Sequence, residues 1–239
     1  MNRWLSSTAA LPVVAIVAAL LGAAVTWVAA RGDGSQVRDY LLEHPEVLPE
    51  AMQKLRDRET GKLIAANRAD IVTPVGGAWA GNPNGDVTVV EYLDYNCGYC
   101  RASLPIVDKL IAADPKVKVI YRELPVLSPE SDTAARYAIV AGRMGKYQAL
   151  HNALYAGGPL SEASMDAALV KAGLDPAAVK AAAKSDDVTR AIHTNLAMMR
   201  TLGMTGTPSW VIGDRVVSSM MPLEDMQAAI ATARAGNAS

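Results

Sequence analysis

A chain of 239 residues has room for one domain of ordinary size with a small appendage. Its 23 basic and 24 acidic side chains leave a net charge of −1 with no long run of one sign, which excludes the electrostatic footprint of a nucleic-acid binder. There is no Phe, so 8 Tyr, 4 Trp and 10 Met must supply the bulk of the core.

Between Arg3 and Arg31 no charged side chain occurs. Residues 11–30, LPVVAIVAALLGAAVTWVAA, supply about 20 mostly apolar positions, enough for a helix of about 30 Å across a bilayer. Residues 1–31 therefore read as a signal anchor, since cleaved apolar regions run only about 7 to 15 residues; the alternative is a signal peptide cut after Val28-Ala29-Ala30. The Arg3 charge and the terminal amine keep the N-terminus cytoplasmic, and either reading exports the rest of the chain. Outside the reducing cytosol a lone cysteine pair is oxidised, catalytically cycled, or both.

Residues 36–72 read as helix, proline interruption, helix, with Pro49 near a helix start. Leu48, Met52, Leu55 and Leu63 form an apolar stripe too thin to be buried by one helix alone, so this segment is an oligomerisation arm or a spacer. TPVGGAWAGNPNGD (73–86) is dense in Gly, Pro and Asn and reads as a loop or an extended entry to a domain. VTVVEYLDY (87–95) suits a central strand covered on both faces. A helix over 98–113 and a strand over 117–124 complete a βαβ unit. Residues 131–202 are Ala-rich and helical in period, SWVIGDRVV (209–217) reads as two strands about a Gly-Asp turn, and Pro222 opens a last helix. The fold class is α/β with an all-helical block inserted.

EYLDYNCGYCR (91–101) holds both cysteines. A disulfide closing so small a loop would stabilise little. Half a zinc site would need two more ligands, and His44, His151 and His193 are scattered. Cys97, where a strand ends and a helix begins, is placed for its thiolate to be stabilised by free N–H groups and the helix dipole. Cys100, one turn on, is within reach to resolve a mixed disulfide. Glu91 is an acid in an apolar strand: buried, it would have a raised pKa and could exchange a proton near neutral pH; on an edge strand it would face water. His151, among Leu150, Leu154 and Tyr155, reads as a packed histidine. Met198, Met199, Met204, Met220 and Met221 lack regular ligand spacing and read as core or groove lining.

With its CxxC in a βαβ unit and TGTPSWVIG (205–213) downstream, the chain resembles the thioredoxin superfamily, and within it the DsbA-family thiol–disulfide oxidoreductases of the bacterial envelope. The resemblance implies a thioredoxin fold over 73–239 with a helical insertion at 131–202. It also implies a cis-proline loop at Thr207 and Pro208 that pairs with extended substrate. The family's buried acid six residues before the first cysteine falls on Glu91, as proton shuttle for Cys100. Strongly oxidising members carry a histidine before the second cysteine; Tyr99 stands here, neutral at pH 7, so Gly98 and Tyr99 imply a less oxidising disulfide. CGYC is similar to the pair of envelope disulfide isomerases, and YLLEHPEVLPEAM resembles the oligomerisation region of ScsC-like trimeric isomerases. Leu93 and Trp210 stand where such relatives often have Phe. The implied function is isomerase or reductase of misbonded or unfolded exported proteins, on the periplasmic side of the inner membrane or soluble in the periplasm. It would need no cofactor beyond the Cys97–Cys100 disulfide, would use a membrane redox partner and would assemble as a homo-oligomer, for which the ScsC-like resemblance implies a trimer. A DsbA-like oxidase is the alternative, and a Cu(I)-binding protein using the reduced pair is the rival from another class.

Overall fold

Pro45 separates two helices: α1 spans Gly34–Glu43 and α2 spans Val47–Ala66, with Pro49 in the first turn of α2. The structure is a computed structural model that describes residues 16–23 and 34–237, and the chain divides after Lys54 into two compact units. The segment expected as anchor or signal peptide falls largely outside the described residues. Of it, residues 16–23 are helical, and no helix among the described residues is long and apolar enough to cross a membrane.

A short helix α3 (Arg68–Val72) leads into the Gly- and Pro-dense stretch read as loop or extended entry, which holds a short strand, β1 (Trp79–Gly81). Three residues pairing antiparallel to an edge leave too short a pattern to stand out from that composition. The βαβ unit follows as β2 (Val87–Leu93), α4 (Gly98–Ala113) and β3 (Val117–Glu123), with β2 and β3 parallel. Then come the inserted helices α5 (Pro129–Arg143), α6 (Tyr147–Ala156), α7 (Glu162–Lys171), α8 (Pro176–Ala182) and α9 (Asp186–Thr201). Caps by Ser128, Ser161 and Asp175, each accepting a bond from a first-turn N–H, divide this Ala-rich run into separate helices. The chain returns as β4 (Ser209–Ile212), β5 (Arg215–Val217) and α10 (Leu223–Asn237). The sheet order is β1-β3-β2-β4-β5, the thioredoxin fold with a helical insertion.

Burial on both faces explains why β2 is nearly all apolar. Val89, Leu93, Tyr121 and Trp210 face α4 and the insertion, and Val90, Tyr92, Ile120 and Val211 face the other way. Leu93 and Trp210, where Phe was expected of relatives, are both buried. The missing Phe has a structural consequence. Six tyrosines (92, 95, 121, 137, 147 and 155) are buried; the hydroxyls of Tyr95, Tyr147 and Tyr155 donate to acceptors within the core, whereas that of Tyr92 is buried without a partner.

On the second face, Ile64 of α2 and Ile71 of α3 pack with Val90, Tyr92, Ile120 and Leu124. Buried Arg122 donates from Nε to the Ile71 carbonyl at 3.1 Å and from Nη2 to those of Asp70 and Thr73, the last at 2.7 Å, satisfying carbonyls at the end of α3. Ile64 and Ile71 are thus held by the core, whereas Leu48, Met52, Leu55 and Leu63 stay exposed. Ile71 is 0% exposed, and Ile71→Ala is expected to lower unfolding free energy by about 3 kcal/mol in urea titration; a loss below about 1 kcal/mol would mean that α3 is not part of the cooperative core.

Candidate active site

Strand β2 ends at Leu93, and α4 begins at Gly98 with Cys97 as its N-cap. Both cysteines are free thiols, and both are buried. The Cys97 thiol donates to the Thr207 carbonyl at 3.2 Å, and its sulfur accepts from the Cys100 N–H at 3.4 Å. The Cys97 pKa is lowered to about 5, first by the Cys100 thiol as donor and further by the Thr207 side chain and the backbone N–H groups of Cys100 and Tyr99, against desolvation. Burial holds Cys100 protonated, with its bond to Cys97 and the charge of Glu91 acting in the same direction. One thiol is poised to ionise and its neighbour is not.

The Thr207-Pro208 peptide bond is cis, and Thr207 lies against Cys97 across 110 residues of chain. Tyr99 is exposed, so its ring adds nothing to the thiolate beyond the backbone N–H. A Cβ on Gly98 would meet nothing within 4 Å, so space does not demand glycine there.

Glu91 is buried in β2, paired in register with Tyr121 and Trp210. Desolvation pushes its pKa well up, helped by the charges of Cys97 and Glu123. His151 is fully buried, as its apolar neighbours indicated, among Tyr95, Tyr121, Tyr147 and Tyr155. Burial lowers its pKa to about 3, which leaves it neutral. Met198, Met204 and Met221 are buried and Met220 is exposed, while among the described residues no group of three or more His, Cys, Asp or Glu side chains could hold a metal ion.

Sequence reasoning passed over two carboxylates. Asp94, 1% exposed, accepts four bonds: Oδ1 from the Asn96 N–H at 2.8 Å and the Ser131 hydroxyl at 2.6 Å, Oδ2 from the N–H groups of Val126 and Leu127 at 2.9 and 3.0 Å. It ties the loop carrying Cys97 to the segment that opens the insertion. Glu123 closes β3, with Oε1 accepting from the hydroxyls of Tyr147 at 2.7 Å and Tyr95 at 3.2 Å. The available signal was the second acid in EYLDY and the acid in YREL, each beside an apolar run.

Two free thiols one helical turn apart, facing a cis-proline loop on a thioredoxin fold, are the arrangement of a thiol–disulfide oxidoreductase. The thioredoxin family profile matches residues 73–232, and the profile of the copper resistance protein ScsC N-terminal domain matches residues 34–60. A thioredoxin-like oxidoreductase from Silicibacter pomeroyi DSS-3 is 38% identical, with 71% of this chain and 98% of that one covered at a TM-score of 0.68. The thiol-disulfide exchange protein alpha-DsbA2 from Wolbachia pipientis is 28% identical, with 74% and 97% covered and a TM-score of 0.68. A periplasmic thioredoxin-like protein from Salmonella enterica serovar Typhimurium is 29% identical, with 70% and 95% covered and a TM-score of 0.64. Two curated relatives, the Na(+)/H(+) antiporters NhaA 1 of Salinispora arenicola and NhaA 3 of Salinispora tropica, are 36% identical over 72 residues, which is 29% of this chain, and the chain spans 11% of their length. The chain belongs to the thioredoxin family, as a thiol–disulfide oxidoreductase of the ScsC and DsbA type.

Proposed function

We propose that the protein isomerises or reduces wrong disulfides in exported proteins on the periplasmic side of the inner membrane. The Salmonella relative described as periplasmic supports the compartment. In this reading the Cys97 thiolate attacks one sulfur of a substrate disulfide; an S–S bond breaks, a mixed disulfide forms, and the other substrate sulfur leaves as thiolate and takes up a proton. Cys100 then gives its proton to Glu91 and attacks the Cys97 sulfur, expelling the second substrate thiolate and closing the Cys97–Cys100 disulfide. Two electrons pass to the substrate, and a membrane dithiol partner must return them. In isomerisation a different cysteine thiolate of the substrate instead attacks the substrate sulfur of the mixed disulfide, forming a new pairing and releasing the Cys97 thiolate with no net redox change. The backbone at Thr207 and Pro208 receives the substrate as an added strand.

The observation that carries isomerisation is the exposed stripe on α2: Leu48, Met52 and Leu55 are 51%, 58% and 57% exposed. Such a stripe calls for packing by another copy, and the ScsC N-terminal match covers the same residues. Several linked sites raise the effective concentration for repeated attack on one misbonded chain, whereas an oxidase needs a single encounter. Because Ile64 and Ile71 belong to the core, charge substitutions test the arm more cleanly than removing it. The variant Leu48→Glu/Met52→Glu/Leu55→Glu is compared with wild type by light scattering and on scrambled and reduced ribonuclease. The expected result is an oligomeric wild type, probed against a monomeric variant that loses about tenfold in isomerisation and keeps dithiol oxidation. A monomeric wild type, or a monomer that isomerises equally well, would give the DsbA-like oxidase reading the lead, which the low Cys97 pKa also suits. A second reading, Cu(I) held by the reduced pair, draws on the copper resistance description of the N-terminal family; a Cu(I)–thiolate absorption band without turnover of any disulfide substrate would establish it.

A further inference from the structure

Glu91 has a second acid for a neighbour. β2 and β3 run parallel with Glu91 opposite Tyr121 and Leu93 opposite Glu123, so the two carboxylates lie diagonally on one face of the sheet, the face of Leu93, Tyr121 and both cysteines. They are 3% and 2% exposed. Arg122, between Tyr121 and Glu123, points to the opposite face, where it bonds the carbonyls at the end of α3. The other titratable groups toward the pair are Cys97, Cys100 and Asp108 of the α4 segment, Asp94 and Tyr95 of the loop after β2, Tyr121 of β3, and Tyr147, His151 and Tyr155 of α6. None is a fixed cation, and His151 is neutral. A buried face without a cation tolerates one negative charge far better than two.

The two acids are not equivalent. Glu123 Oε1 accepts from two tyrosine hydroxyls, while Glu91 faces the Cys97 thiolate. We propose that Glu123 is a positioning carboxylate for the Cys97–Cys100 couple: while Cys97 is uncharged in a mixed disulfide, Glu123 takes the one negative charge this face tolerates, keeps Glu91 protonated, and thereby sets the pH above which Glu91 accepts the Cys100 proton. The inference rests on the reading of Glu91 as proton acceptor. Burial raises Glu123 to about 8 despite its tyrosine donors, and Glu91 is raised by burial first, then by the charges of Cys97 and Glu123. Tyr95 gives the arrangement room to change protonation. Its hydroxyl lies 3.2 Å from Glu123 Oε1 and 3.1 Å from His151 Nδ1. It donates to an ionised Glu123 while His151 donates to it, and the direction reverses when Glu123 is neutral.

The test follows release of glutathione from a Cys97–glutathione mixed disulfide by Cys100, measured by stopped flow across pH. In Glu123→Gln the midpoint is expected to fall by about one pH unit, because Glu91 then ionises without a second charge beside it. Tyr147→Phe, which weakens the hold on the Glu123 charge and keeps the carboxylate, is expected to move it the same way by less. In a Glu91→Gln background, adding Glu123→Gln is expected to leave the profile unmoved. An unchanged midpoint in Glu123→Gln, beside a changed profile in Glu91→Gln, overturns the proposal whatever happens to stability. If Glu123→Gln does not fold, an unchanged midpoint in Tyr147→Phe does so. A Glu91→Gln profile identical to wild type removes the Glu91 reading itself, and this inference with it.

Discussion

Cys97→Ser is expected to abolish thiol–disulfide exchange, and Cys100→Ser to retain the first attack and accumulate a mixed disulfide with substrate. The asymmetry follows from the two environments. Cys97 caps α4 and receives the Cys100 N–H, whereas Cys100 lies inside the helix, buried and held protonated. At neutral pH nearly all Cys97 is thiolate, given a pKa of about 5. Iodoacetamide labelling of the reduced protein across pH should therefore modify Cys97 with a midpoint near that value, well below the usual thiol pKa of about 8.5. The same shift has a stability consequence with a definite sign. A group whose folded pKa is depressed contributes stability that is complete above its unfolded pKa and disappears as pH falls through its folded one. The part of the reduced form's stability that comes from Cys97 should thus fade as pH drops from about 8.5 toward 5, and Cys97→Ser should remove that dependence. Preferential labelling of Cys100, or turnover by Cys97→Ser, would reverse the assignment.

Asp94→Ala is expected to cost about 4 kcal/mol of unfolding free energy, more than removal of any single cap, because it strands three backbone N–H groups and the Ser131 hydroxyl at once. Asp94→Asn should lose nearly as much. Its one oxygen can serve either the Asn96 and Ser131 side or the Val126 and Leu127 side, and its amide nitrogen then opposes donors on the other. The Asp94 carbonyl also accepts from the Cys97 N–H at 3.0 Å and from the Tyr155 hydroxyl at 3.1 Å, so a shift of this residue moves the start of α4. Urea titration measures the stability, and the iodoacetamide midpoint of Cys97 in the folded variant reports the displaced helix start. A loss below about 1 kcal/mol with an unmoved midpoint would show that the four bonds are replaced by water at no cost.

The parts of this protein legible in its sequence are those whose physics is local. Cys97 and Cys100 meet because three positions along a helix always meet, and a strand followed by a helix places the first of them at the N-cap whatever surrounds it. The near-continuous apolarity of 87–93 announced a strand covered on both sides, while whether its acid Glu91 was buried or faced water from an edge was decided by its place between β3 and β4. Tertiary structure alone decided what the buried polar groups bond to. Asp94 finds Val126, Leu127 and Ser131 more than 30 residues away, and Glu123 takes its donors from Tyr95 and Tyr147 on two other segments. Arg122 reaches back about 50 residues to the end of α3. Those pairings have no spacing rule, because they arise where the sheet order and the helical insertion bring distant segments together. With tyrosine in place of phenylalanine, the hydroxyls of Tyr95, Tyr147 and Tyr155 find partners that only the completed fold supplies, while that of Tyr92 is buried with none.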